Sequence, residues 1–256
     1  MTIASIPTER ENSEPFSMIY GVNTAVSACV KRLTQLDYVT NNLANVNTPG
    51  FKAERLTFVR RPETPDLEEN AFSHDMLLFT DTSQGTLQKT GNLLDAAVEG
   101  DGYFVIQDKD GSSYYTRNGS FTINRDKLLV TPSGDPVLGQ GGPITVDGKK
   151  VEIGHDGTVN VDEKSVNTLR IVKFSNREAL VRIGNSRYRD PGNAGLQDEE
   201  KPAVQAGYLE LSNVQALKEM IDMIDIHRHV EAYLKVMQTI SDQDKLAVSR
   251  LGKLYS

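Results

Sequence analysis

The chain has 256 residues, enough for one or two domains with a buried core. Its 28 Lys and Arg stand against 35 Asp and Glu, a formal net charge of -7, which excludes the broad cationic surface that nucleic acid or anionic lipid requires. One cysteine, Cys29, excludes an intrachain disulfide and a thiolate zinc site, and no apolar run reaches the roughly 18 residues of a membrane-spanning helix.

Residues 1–17 are rich in Ser, Pro and Glu and lack both hydrophobic periodicity and the apolar centre of a cleavable signal, so they are expected to form a disordered leader. Residues 18–51 form the first ordered segment. Val22, Val26, Cys29, Leu33, Leu36, Thr40 and Leu43 recur in steps of four and three, which predicts a helix over residues 20–46 with a heptad seam. The helix is expected to stop within Asn41-Asn42-Leu43-Ala44-Asn45-Val46-Asn47-Thr48-Pro49-Gly50-Phe51. There Asn side chains can bond free backbone groups, Pro49 cannot continue a helix, Gly50 permits positive φ and Phe51 can anchor the exit. Residues 52–84 have weak periodicity, Pro62, Pro65 and an acidic run at 66–69, and read as an extended connector.

Over residues 85–208 the period becomes two. The expected strands are 103–107, 114–116, 120–124, 128–131, 144–146, 151–153, 158–161 and 169–174, separated by turn signals such as Asn118-Gly119, Asp147-Gly148 and Asp156-Gly157. This spacing predicts a compact antiparallel β domain. Residues 209–256 return to helix from about Asn213. Ala216, Met220, Met223, His227, Val230, Leu234 and Met237 hold the four-three rhythm, and neither Pro nor Gly occurs between Val214 and Leu251. At 1.5 Å per residue such a helix reaches roughly 57 Å, too long for a small β domain to cover, so it needs a helical partner. The fold class expected is α+β, with long N- and C-terminal heptad helices packed together and an antiparallel β domain inserted between them. Apolar faces left over would meet other subunits, as in an open head-to-tail assembly.

Catalytic and ligand-binding patterns fail on their spacing. Gly139-Gln140-Gly141-Gly142-Pro143 lacks the Lys-Ser/Thr of a phosphate loop and reads as a tight β turn. Asp108, Asp110 and Gly111 open like a calcium loop, but the twelfth position is Gly119, so a hairpin turn is the better reading. His227 and His229 point apart on a helix, and His227 on the seam is expected to be a partly buried packing residue. Glu99 and Asp101 lie beside glycines, and with Asp95 they read as turn residues. Arg170 to Arg189, the densest cationic stretch, reads as strand faces. No enzyme, cofactor or metal site is expected.

Four ordered stretches carry a specific resemblance. Asn42-Leu43-Ala44-Asn45-Val46-Asn47-Thr48-Pro49-Gly50-Phe51-Lys52 is similar to the N-terminal signature of flagellar rod and hook proteins. Gly85-Thr86-Leu87 through Asp101-Gly102-Tyr103-Phe104, Tyr115-Thr116-Arg117-Asn118-Gly119-Ser120-Phe121 with 129–139, and Leu209-Glu210-Leu211-Ser212-Asn213-Val214 with Met237-Gln238-Thr239 agree in the same order. Within that family, Gly141-Gly142-Pro143-Ile144 and the short connector resemble the proximal rod members most. The distal rod is the alternative, and a β-rich surface-binding module a more remote one.

The resemblance implies a structural, non-enzymatic subunit in the periplasmic part of the basal body. It implies export by the flagellar type III apparatus without a cleaved signal, and a helical assembly with itself and other rod proteins, carrying torque to the hook. It implies no nucleic-acid partner and no membrane insertion. The residues expected to serve assembly are Val22, Val26, Leu33, Leu36 and Leu43 on the first helix, and Met223, Val230, Leu234 and Met237 on the last. Asn42, Asn45, Asn47, Gly50, Phe51 and Asn213 at the helix ends complete the set.

Overall fold

A computed structural model describes residues 14–60, 74–199 and 202–254. Two long helices, α1 (Glu14–Ala44) and α2 (Ala216–Leu254), bracket a set of short antiparallel strands. The chain is therefore α+β. By its contacts it divides into two units. One comprises most of both helices and residues 56–77, and the other comprises residues 41–55 and 78–216.

In the helical unit, α1 and α2 share an apolar cluster. Cys29 and Val39 from α1 are buried with Ile226 and Val230 from α2, and Leu36, Met223, Tyr233 and Met237 pack against them. The stripes Cys29/Leu36 and Met223/Val230/Met237, each at seven-residue spacing, are those read from the periodicity. The flanking row differs on both helices. Beside the α1 stripe the covered row is Ala25 and Val39, whereas Val26 and Leu33 are exposed. On α2 the covered row is Glu219, Ile226 and Tyr233, whereas Met220 and Leu234 are exposed and His227 lies in solvent, 3.4 Å from Glu231. Both helices are thus turned by one residue relative to the expected seam. Thr40, which interrupts that seam, lies on the exposed side, and the packing role expected of His227 is corrected.

The first helix begins at Glu14, four residues before the expected start of order, so residues 14–17 belong to α1 rather than to a leader. The rest of the leader, residues 1–13, lies outside the described residues. The connector is also more regular than expected. Glu54–Arg60 and His74–Thr80 pair as a two-stranded ribbon, while its acidic run lies outside the described residues.

The β unit centres on a six-stranded antiparallel sheet. In spatial order its strands are Val181–Arg182, Arg187–Arg189, Ser113–Thr116, Tyr103–Gln107, Ile171–Phe174 and Leu196–Asp198. The run Tyr103-Phe104-Val105-Ile106 is buried along its whole length because the sheet is covered on both faces. Phe104, Ile106 and Ile171 enter one cluster, with Leu129, Ile144 and Val159. Tyr103, Val105 and Val172 point the other way, to Phe174, Leu180 and Tyr188. A three-stranded sheet, Val151–Ile153, Thr158–Val161 and Lys164–Thr168, covers the first face, and its third strand is additional to the expected set. Ile144 to Val146 forms no strand, only an isolated bridge from Thr145 to Leu128, although Ile144 and Val146 are buried. The Gly139–Pro143 stretch is a tight hairpin in which Leu138–Gly139 pairs with Gly142–Pro143. Asp108 to Gly111 turns between the two central strands, with Gly111 at φ 84°.

Candidate assembly site

The last turn of α1, the loop after it and the strand before α2 meet in one buried knot within the β unit. Asn42 Nδ2 donates to the Glu54 carbonyl at 2.8 Å, and its Oδ1 accepts the Glu54 N–H at 2.9 Å. The side chain therefore closes a two-bond clasp between the helix end and the outgoing strand. Asn45 and Thr48 hold the turn between them. Asn45 Nδ2 donates to the Asn41 carbonyl, and the Thr48 hydroxyl donates to Asn45 Oδ1. Asn47 is exposed, and Leu43 and Val46 are half-buried. Gly50 adopts φ 68°, and a Cβ there would lie 2.4 Å from the Asn118 backbone nitrogen, so only glycine fits. Its N–H donates to the Glu210 carbonyl at 2.8 Å.

Phe51 and Ala53 pack with Val214, and the Arg182 guanidinium lies 4.1 Å from the centre of the Phe51 ring. Asn213 plays the part of Asn42 from the other end of the chain. Its Oδ1 accepts the Ala53 N–H at 2.8 Å, and its Nδ2 donates to the Asp81 carbonyl at 2.8 Å.

Beneath this clasp sits a buried charge cluster. Lys52 Nζ lies 2.5 Å from Glu210 Oε1, with the two side chains 1% and 0% exposed, and it also donates to the Ser83 carbonyl at 2.6 Å. Glu210 Oε1 accepts the Gly85 N–H at 3.0 Å, and Arg117 Nη1 lies 3.7 Å from Oε2. Arg117 also donates to the carbonyls of Val98 and Gly100 and stacks over Tyr103 at 5.2 Å. Burial lowers the Lys52 pKa, opposed by the attraction of Glu210. Two cations share one carboxylate here, so removing the carboxylate costs far more than removing either cation.

The cationic stretch from Arg170 to Arg189 is laced with acids. Arg170 pairs with Asp198, Lys173 with Glu199, Arg177 with Asp101, Arg182 with Glu54 and Arg187 with Asp135. Asp95 is a turn acceptor for Thr90 and Asn92. Among the described residues no three His, Cys, Asp or Glu side chains are grouped to hold a metal, and no helix is long and apolar enough to cross a membrane.

Of the residues expected to serve assembly, Asn42, Gly50, Phe51 and Asn213 are committed to the chain's own knot. Leu36, Met223, Val230 and Met237 are committed to the helix pair, and Val22 is half-buried. Val26, Leu33 and Leu234 are open. Sequence reading missed Lys52, Arg117 and Glu210 as a unit. Each stood inside a recognised motif, but a Lys and a Glu separated by 158 positions give no local pattern.

Three family models match the chain in order. A model for flagella basal body rod proteins covers residues 22–52, one for the flagellar hook protein FlgE/F/G D1 domain covers 97–161, and one for the flagellar basal body rod FlgEFG C-terminal region covers 205–249. The flagellar basal-body rod protein FlgF of Caulobacter vibrioides is 36% identical over 86% of this chain and 93% of its own length. The chain belongs to the flagellar basal-body rod proteins. FlgG of Bacillus subtilis is 32% identical over 87% of this chain and 95% of its own, and FlgF of Salmonella typhimurium 31% over 89% and 96%. The molecule is a structural rod subunit rather than an enzyme.

Proposed function

We propose that this rod subunit belongs to the proximal rod, in the periplasm, where it carries motor torque toward the hook. It reaches that place through the flagellar type III apparatus without a cleaved signal, and it assembles helically with its own copies and with other rod proteins. The observation carrying the assembly reading is the set of apolar side chains left open on a helix pair that already has a packed seam: Val26, Leu33 and Leu234. Each is already more than half covered, so covering the rest contributes about 1 kcal/mol, roughly half the value for full burial. In this reading, residues 18–51 and 209–256 form the axial part, 52–84 the connector and 85–208 the outer β domain. The proximal position is supported by Gly141-Gly142-Pro143-Ile144 and by the short connector.

Mass spectrometry of purified hook–basal bodies tests the proposal. Recovery at a few copies, fewer than the distal rod protein, is the expected result. Some tens of copies reassign the chain to the distal rod, and absence from the particle overturns the rod position.

A further inference from the structure

One face of the six-stranded sheet carries a ring of polar side chains that the chain seals over with its own segment 51–54. Arg182 stands opposite Tyr188, Tyr188 opposite Tyr115, and Tyr115 opposite Val105, so these side chains share a face. Tyr103, two positions from Val105, lies on that face too. The covering segment meets it through charge and an aromatic ring. The Arg182 guanidinium lies 4.1 Å from the centre of the Phe51 ring, and its Nη1 lies 3.3 Å from Glu54 Oε2. Lys52 holds Glu210 Oε1, and Glu210 Oε2 faces Arg117 at 3.7 Å. Arg117 stacks over Tyr103 at 5.2 Å, and the Tyr103 and Tyr188 rings meet edge to face at 5.8 Å. These contacts close on themselves, all within the β unit.

Four atoms of this ring are buried and make no hydrogen bond among the described residues: Arg117 Nε, Arg182 Nη1, Tyr188 Oη and Glu210 Oε2. Arg117, Tyr188 and Glu210 are each at most 2% exposed. The near contacts do not substitute. At 3.7 Å the Arg117–Glu210 approach is too long for a hydrogen bond, and the Arg182–Glu54 ion pair lacks hydrogen-bond alignment. Buried polar groups in folded proteins are almost always bonded, to protein or to ordered water. We infer that the ring encloses a buried hydration site, with ordered water held between the sheet face and residues 51–54. The donor set selects the occupant. Arg117 Nε and Arg182 Nη1 only donate, Glu210 Oε2 only accepts, and Tyr188 Oη does either. An occupant serving all of them must both accept and donate, which water does and a halide or a metal cation does not. The charges agree. Lys52, Arg117 and Arg182 against Glu54 and Glu210 leave an excess of positive charge that disfavours a cation, while the Glu210 oxygen repels an anion. Water in such a place makes about three hydrogen bonds and belongs to the fold. The joint where the chain leaves α1 is therefore wet, a property of the β unit that does not rest on the rod reading.

A crystal structure of the purified chain tests the inference. The expected result is a solvent peak about 3 Å from both Arg117 Nε and Glu210 Oε2. Direct protein bonds to these atoms, with no solvent between them, overturn it. An anomalous peak at that place in crystals grown in sodium bromide overturns it as well, because the occupant is then an anion. A second measurement needs no crystal. A Tyr188 hydroxyl bonded to held water loses that bond in Tyr188→Phe, so the thermal midpoint at neutral pH, followed by near-ultraviolet circular dichroism, is expected to fall by about 2–4 °C. An orphaned hydroxyl gives the opposite sign, since its removal relieves a desolvation cost. An unchanged or raised midpoint therefore overturns the hydration site.

Discussion

Replacing Glu210 with Gln changes almost nothing in volume and removes the one negative charge between Lys52 and Arg117. The carboxylate accepts Lys52 Nζ at 2.5 Å and the Gly85 N–H at 3.0 Å, and faces Arg117 at 3.7 Å, all out of solvent. An amide can accept from one donor, but it presents its own N–H groups to the cations. Removing one member of a buried pair costs about 3–5 kcal/mol because the partner charge stays behind, and here two cations stay. The expected loss for Glu210→Gln lies in that range. Lys52→Met costs less, since it also removes a desolvated ammonium and leaves Arg117 with Glu210. The double variant is expected to be more stable than the sum of the single losses predicts, with a coupling of about 0.5–3 kcal/mol. Guanidinium unfolding of the purified chain measures this, with near-ultraviolet circular dichroism reporting tyrosine packing and far-ultraviolet circular dichroism the helices. A Glu210→Gln loss below about 1 kcal/mol, or strict additivity in the cycle, refutes the assignment of Glu210 as the shared counter-charge.

Other outcomes follow from the same geometry. Gly50→Ala forces a Cβ to within 2.4 Å of the Asn118 backbone nitrogen at φ 68°. The left-handed conformation alone costs about 1–2 kcal/mol, so a midpoint unchanged from the parent contradicts the tight approach. Leu36→Asp and Leu33→Asp separate folding from assembly. The first buries a charge in the α1–α2 cluster and lowers thermal stability of the helices, whereas the second leaves helical melting unchanged and abolishes motility; equal melting losses in both contradict the seam phase. Burial raises the hydroxyl pKa of Tyr103 and Tyr188. Unfolded tyrosines ionise near pH 10 while these stay protonated in the fold, so their contribution is fully present below about pH 10 and is lost as pH rises above it. Lys52, with its lowered pKa, acts in the opposite sense, so the measurement is the difference between Tyr188→Phe and the parent. The variant is expected to lose less stability than the parent across an alkaline denaturation series.

Much of this architecture was legible in the sequence, for identifiable reasons. A change of hydrophobic period from 3.5 to two marks helix against strand whatever the tertiary contacts. The Asn-rich stretch and its Pro-Gly pair end a helix by local chemistry. The rotational phase of the helix pair was not legible. A stripe at seven-residue spacing can be flanked on either side, and the more apolar flank, Val26/Leu33 on α1 and Met220/Leu234 on α2, was read as the inner one. The chain instead covers the flank holding Val39 and Ile226, together with Glu219. The more apolar flank is left exposed, so a rule that the most apolar face points inward fails on these two helices. The charge cluster was illegible for another reason: its members come from three segments that only the finished fold brings together.

The order in which the chain becomes available has a consequence for how it folds. Leu87–Lys89 pairs with Tyr208–Glu210, and Ala96–Val98 pairs with Val204–Ala206. The first strands of the β unit thus wait for its last, and Lys52 waits for a carboxylate 158 positions later. In a chain that becomes available from its N-terminus, the closing pairs form only once residues 204–206 and 208–210 have appeared, and until then Lys52 and Arg117 are more stable in water. Such distant pairings make closure slow and late. The strands of the central sheet lie between those closing partners, so the β unit is sealed last at its two ends of sequence rather than at its centre.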